Sequence, residues 1–264
     1  MFDFLSVRKW KWPELWTKPV VLVDGKLVLP CDGVRAGSTA YVVTVNERNV
    51  ASALSKIDVE ALFLYEFRVP DLQALSHLSR LRHLRVEWST KLHDVGGLSA
   101  FQGLETLHLC DTPNVDDVGP VSGLKCLRGF AFEGGMWNRN TARSLEPLSN
   151  LPQLEEVWLS NLKVLEGGLR PLARCPGLRK LEVSNQFDVG DFAYLAGVRP
   201  DVGCDKFAAW TAWHDGMVMP TGRGKPLLHP IADYRQVEAL EAIFDKLRNR
   251  YAEEAKRKDA GNPR

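Results

Sequence analysis

The sequence has no C-x-x-C pair, no excess of either charge and no apolar run long enough to cross a bilayer. Each absence removes a class of protein. Five cysteines (Cys31, Cys110, Cys126, Cys175 and Cys204) are an odd number with no ligand-type spacing, which argues against a disulfide framework and a zinc ribbon. A reducing, cytoplasmic setting is therefore expected. A formal net charge of +1 gives no bulk electrostatic case for nucleic acid or an acidic membrane surface. Apolar stretches all fall short of the roughly 18 residues of a membrane span. The opening "MFDFLSVRKWKWPELW" lacks the uncharged apolar core of a signal peptide.

Catalytic signatures are also missing. "TGRGKP" at 221–226 fails the phosphate-loop pattern, because Met219 stands where a glycine is required and Pro226 where a Ser or Thr must hold magnesium. The six histidines show no H-E-x-x-H spacing. His83 and His108 do fall on corresponding positions of neighbouring units, with Cys110 nearby, but no metal site or cofactor is expected from them. No nucleophile elbow accompanies His214, Asp215, Arg223 and His229. The expectation is a chain without catalytic residues. A site in the segment His214–His229 is the alternative.

What the chain does contain is a repeat. The pattern Leu-x-x-Leu-x-Leu recurs in "LRHLRVEW", "LETLHLCD", "LEEVWLSN" and "LRKLEVSN". Aligned on their central apolar residue, the units read Leu62, Leu84, Leu107, Phe130, Val157 and Leu181, with steps of 22, 23, 23, 27 and 24 residues. Two residues later come Leu64, Val86, Leu109, Phe132, Leu159 and Val183, and three earlier Val59, Leu81, Leu104, Leu127, Leu154 and Leu178. Six earlier, the column holds except in the first unit, which has Lys56. Period two is a short strand with one buried face. The second halves change to period three, as in Leu92-Val95-Leu98, Val115-Val118-Val121 and Val189-Phe192-Leu195, which suits tight 3₁₀-like turns. A single coil cannot bury its own apolar residues, whereas stacked coils can.

In these columns the chain resembles the leucine-rich repeat family, whose units run about 20–29 residues. The short units look like the internalin-type or phosphatase-regulator-type classes. The resemblance implies an α/β solenoid with a curved parallel sheet, a β-rich N-terminal cap at 1–55, about six units at 56–203 and a helical C-terminal cap at 204–264. The asparagine that usually follows the strand is present as Asn161 and Asn185. Ser89, Thr112 and Gly135 stand near that place elsewhere.

At the ends, "PVVLVDGKLVLP" reads as two strands about an Asp24-Gly25 turn. "AYVVTVN" reads as a third strand, and residues 49–57 as a helix capped by Asn49. Trp10, Trp12 and Trp16, interleaved with Lys9, Lys11 and Lys18, read as a cover for the first coil. The tail "KRKDAGNPR" reads as a solvated end. Residues after 203 read as a loop in which Trp210 and Trp213 seal the last coil. An amphipathic helix follows, with Asp233 at its start and a stripe of Val237, Leu240, Phe244, Leu247 and Tyr251.

Residues alternating with the ladder point away from the core, and the resemblance implies that they line a concave surface. They do not repeat: Phe63, Arg85, His108, Ala131, Trp158, Glu182 in one column, His83, Glu156 and Lys180 in the column before, Tyr65, Glu87 and Glu133 in the column after. Aromatics and arginine are the residues that carry interface energy. The expected function is therefore non-enzymatic recognition of a protein partner on this face, with no nucleic acid, membrane or small-molecule cofactor. Family-level analogy extends to a bacterial immunity or effector-like role. Ala131 is expected to floor an open depression between His108 and Trp158. The insertion "EGGMWNRNTARS" either projects Met136, Trp137 and Arg139 as a second contact or folds Trp137 back on the coil edge.

Overall fold

The computed structural model describes residues 20–23, 26–29, 39–55 and 57–260. Trp10, Trp12, Trp16 and their lysines, the Asp24-Gly25 turn, Cys31, Lys56 and residues 261–264 lie outside the described residues.

The repeat folds into stacked coils, each contributing one strand to a single sheet. Seven strands run parallel: β3 (Thr39–Asn46), β4 (Ala61–Arg68), β5 (His83–Glu87), β6 (Thr106–Cys110), β7 (Gly129–Glu133), β9 (Glu156–Ser160) and β11 (Lys180–Val183). At the first edge β1 (Val20–Val23) pairs parallel with β3 and antiparallel with β2 (Lys26–Leu29). The architecture is the leucine-rich repeat solenoid expected from the columns, with its curved parallel sheet.

The aligned residues of the sequence are the aligned residues of the sheet. Leu62 pairs with Leu84, Leu84 with Leu107, Leu107 with Phe130, Phe130 with Val157 and Val157 with Leu181. Ala40 pairs with Leu62, so β3 adds a rung that the leucine columns do not reach. All of these residues are buried in one continuous core, together with the second column from Val42 to Val183. Burying each leucine, valine or phenylalanine among them contributes roughly 1.5–3 kcal/mol against the entropy of ordering the coil.

The return half of each coil is a 3₁₀ turn at 73–75, 96–100, 119–123, 146–150 and 170–174. Three of these carry proline in their first two positions, where a helix loses nothing by lacking the N–H. The last unit departs from the expected 3₁₀ form. Val189–Val198 contains no proline and forms a regular helix, α2. A second departure is a recurrent left-handed residue near the end of the strand: Thr44, Glu66, Trp88, Asp111 and Asn161 all have φ between 42° and 58°. Non-glycine residues seldom adopt this conformation. Its return at coil spacing marks it as the bend near the strand end in five of the seven coils.

Several expectations about polar ends are corrected. Helix α1 (Val50–Leu54) has no side-chain cap, because the Asn49 carboxamide accepts from the Asn46 N–H at 2.8 Å. In the insertion unit the ladder position near Gly135 is served by Asn140, which is fully buried. Its Oδ1 accepts from the Thr112 N–H at 3.1 Å and its Nδ2 donates to the Glu133 carbonyl at 2.8 Å. The same insertion adds β8 (Asn140–Ser144), paired in parallel with β10 (Leu162–Glu166) as a separate small sheet. The segment after 203, expected as loop, contains a hairpin of β12 (Trp210–Ala212) and β13 (Val218–Pro220). Trp210 packs on the core, but Trp213 is 45% exposed and seals nothing.

Helix α3 (Tyr234–Ala260) packs along α2. Phe244 is buried, with Leu240 and Leu247 beside it, and Tyr251 meets Tyr194 edge-on at 5.3 Å. Asp233 does not cap it in the expected way. Its carboxylate accepts from the His229 N–H at 2.8 Å. Contact is close at Gly197, where a Cβ would lie 2.5 Å from the Arg248 carbonyl oxygen and 3.1 Å from the Ala252 nitrogen. Gly197→Val should therefore separate the helices at a cost of about 1–3 kcal/mol, the usual range for overpacking. Limited proteolysis should then cut within 234–260 faster than in the parent, and unchanged cleavage would mean that the helices do not meet here.

Candidate functional site

The residues that alternate with the ladder share the face of the sheet opposite the core, and the strand register sets them in three rows. The middle row is Phe63, Arg85, His108, Ala131, Trp158 and Glu182. His83 and Thr106 lead to Glu156 and Lys180 on one side, and Tyr65, Glu87, Cys110, Glu133 and Ser160 lie on the other.

Along these rows the surface divides in two. On the first four rungs Phe63, His83, Arg85, His108 and Ala131 are buried. Large neighbours cover one another. Tyr41 meets Phe63 edge-on at 4.5 Å, and the Arg85 guanidinium lies 5.1 Å from the centre of the Phe63 ring. Arg85 also donates to Glu87 at 2.6 and 3.0 Å. Tyr65 continues the aromatic row to Trp88 at 5.5 Å. The open depression expected at Ala131 is not there: Ala131 is 0% exposed. Its small side chain instead lets the His108 ring lean diagonally, so that Nε2 lies 2.6 Å from Glu133 Oε2.

This diagonal starts a buried polar chain. Glu133 also accepts from Ser160 Oγ at 2.6 Å, and His83 Nδ1 lies 2.9 Å from Thr106 Oγ1. Burial is the largest influence on His108 and His83, holding both below the ordinary imidazole range. For Glu133 burial opposes ionisation, but the bond to His108 leads the several interactions that outweigh it and keep the carboxyl below its ordinary range. Burial pushes the Cys110 thiol up.

These directions fix a sign for pH. A histidine depressed in the folded chain takes up its proton more readily once unfolded, so acid favours unfolding below the ordinary imidazole range. Glu133, depressed in the folded chain, loses its contribution as pH falls further through the carboxylate range. Stability should thus decrease steadily from pH 7 to pH 5, and His108→Gln should flatten part of that slope. Denaturant midpoints that are constant or rise toward pH 5 would contradict the buried network.

The last two rungs are different. Glu156 and Lys180 are exposed, and Trp158 and Glu182 are half-buried. Beside them is a cavity of about 590 Å³ lined by Trp158, Ser160, Lys180, Glu182, Ser184 and residues 203–205. It forms because the ladder stops there. Gly203 bridges to Lys180, and the chain then turns away at Cys204 and Asp205. Lys180 pairs with Glu182 at 2.6 Å. Sequence reasoning placed these residues on the correct face but had no signal for the cavity, which depends on where the chain leaves the sheet.

Elsewhere, Met136 and Trp137 project from the insertion at 76% and 83% exposure, which decides between the two readings of that segment. Arg139 instead donates to the Leu162 carbonyl at 3.1 Å. In the C-terminal histidine segment the described side chains engage separate neighbours. His214 meets Trp213 edge-on at 5.2 Å, Arg223 pairs with Asp188 at 2.9 Å, and His229 Nδ1 accepts from the Ile231 and Ala232 N–H groups at 3.2 Å. Among the described residues, one group of three metal-type donors occurs, His108, Cys110 and Glu133. No described helix is long and apolar enough to cross a membrane.

No family model matches the chain, and no curated protein matches it. Among solved structures, it is similar to internalin C2 (InlC2) from Listeria monocytogenes, with 22% identity over 67% of this chain and 68% of that one and a TM-score of 0.44. It is also similar to an internalin (InlF) from the same organism, with 19% identity, a TM-score of 0.43, and coverage of 62% of this chain and 51% of that one.

Proposed function

We propose that the chain is a non-enzymatic protein-recognition module that reads its partner on the concave face of the solenoid, over its last rungs. A leucine-rich repeat fold suits protein–protein interaction in general. The observation that carries this placement is the cavity beside Trp158. A half-buried indole at the rim of an open hollow is an anchor with part of its desolvation already met. Glu156, Lys180 and Glu182 surround it with charges of both signs, which favours orientation of a polypeptide over bulk attraction to a polyanion. The buried residues Phe63, His83, Arg85, His108 and Ala131 take a different part in this reading: with Tyr65, Glu87 and Glu133 they stiffen the face against which the partner docks. Rigid presentation lowers the ordering cost of binding.

Affinity capture from the organism that encodes the chain, followed by mass spectrometry, tests the proposal. A double variant, Glu156→Lys with Glu182→Lys, should fail to retain the protein that the parent retains. Equal recovery on both would remove the last rungs from the interface.

A further inference from the structure

The buried polar chain contains a constellation that protein recognition does not require. His108 and Cys110 lie two residues apart on β6 and so share a face. Glu133 stands on β7 directly across from Cys110. One donor atom from each residue lies within 4.8 Å of the other two. Imidazole, thiol and carboxylate together form a ligand set that borderline metal ions select. Ser160 Oγ, 2.6 Å from Glu133, holds the carboxylate as an outer partner would.

We propose that His108, Cys110 and Glu133 bind one divalent transition-metal ion of the zinc class, through an imidazole nitrogen, a thiolate and a carboxylate. Three protein donors leave one position for water or for a donor atom from a partner. The charges favour the ion. One thiolate and one carboxylate around a dication give a neutral buried site. Glu133 is a part-buried carboxylate kept ionised by its bonds to His108 and Ser160 and by the Arg85 charge. Bond lengths of about 2.0–2.3 Å place donors around a tetrahedral ion roughly 3.3–3.8 Å apart, so the three side chains need adjust by only about an ångström. The step balances simply. The Cys110 S–H bond breaks and its proton leaves to solvent as the sulfur–metal bond forms, while the proton that joins His108 Nε2 to Glu133 moves to Nδ1 through solvent, so that the freed Nε2 lone pair and the Glu133 carboxylate both turn to the ion. Affinity should rise with pH as this proton becomes easier to release.

The test uses the full chain, treated with chelator and then titrated with cobalt(II) and zinc(II). One equivalent of cobalt should give visible tetrahedral bands and a near-ultraviolet thiolate-to-cobalt band, both bleached by zinc. Cys110→Ser should lose the thiolate band, and Glu133→Gln should bind cobalt at least tenfold more weakly, with metal-free circular dichroism matching the parent for both. X-ray absorption of the parent's zinc complex, which needs no variant, should show one sulfur neighbour among nitrogen and oxygen. A pale octahedral cobalt spectrum, a thiolate band that survives Cys110→Ser, or a zinc shell without sulfur would overturn the proposal.

Discussion

Replacing Phe130 by alanine is expected to destabilise the chain by about 3–5 kcal/mol, the range for truncating an enclosed phenylalanine. Phe130 is fully buried on the middle rung, paired with Leu107 on one side and Val157 on the other. Its ring lies 6.4 Å from that of Phe132 on the same strand. In a solenoid each coil is stabilised chiefly by its two neighbours, so a cavity on the central rung weakens two interfaces at once. Neighbouring side chains have little freedom to collapse into it, since the ladder fixes their spacing. Urea unfolding followed by circular dichroism should show a much lower midpoint. A loss under about 1 kcal/mol would mean that the middle of the core is loosely packed.

Trp158→Ala should have the largest effect on recognition while leaving the fold intact. The indole lies on the face opposite the ladder, so its removal takes nothing from the leucine core. A central aromatic anchor typically contributes 2 kcal/mol or more, which is about thirtyfold in affinity. Titration calorimetry with the captured partner should show that loss, with a melting temperature close to the parent's. Arg174→Ala, which removes the Arg174–Glu146 pair from the 3₁₀ turns on the far side of the coil, should bind as the parent does. Such exposed pairs contribute little even to stability. Equal losses at the two sites would point to a general effect on folding.

The parts of this architecture that were readable in the sequence are those with a period. Leu84, Leu107, Phe130 and Val157 occupy one column in the chain and one register in the sheet because alternation leaves no other way to bury both Leu107 and Leu109. Proline opens three of the 3₁₀ turns, but Gln73–Leu75 and Gly96–Ala100 form without it, so nothing about proline marked Val189–Val198 as the helical unit. The strand at Ala40 was read as part of the cap and not as a further rung, because alanine carries too little apolar surface to mark a column. Period also says nothing of lateral packing. Alternation puts Arg85 and Trp158 on the same face, yet Arg85 is covered by its aromatic and acidic neighbours while Trp158 borders a cavity. That difference comes from residues on adjacent rungs, far apart in the chain. The inward lean of His108 likewise needed both Ala131 and Glu133 in place.

Capping followed the same rule. Asn49 and Asp233 were recognised as polar residues at helix starts, but their side chains bind backbone outside the helix. The choice between those acceptors depends on loop geometry, which no propensity encodes.

The central claim is that a partner polypeptide docks on the last rungs of the curved sheet. Hydrogen exchange of the captured complex, compared with the chain alone, tests it most directly. Slower exchange should be confined to 156–160, 180–184 and the neighbouring 203–205, with the 3₁₀ turns at 146–150 and 170–174 unaffected. Protection of those turns, or of the insertion around Trp137, with no change at 156–160 and 180–184 would contradict it.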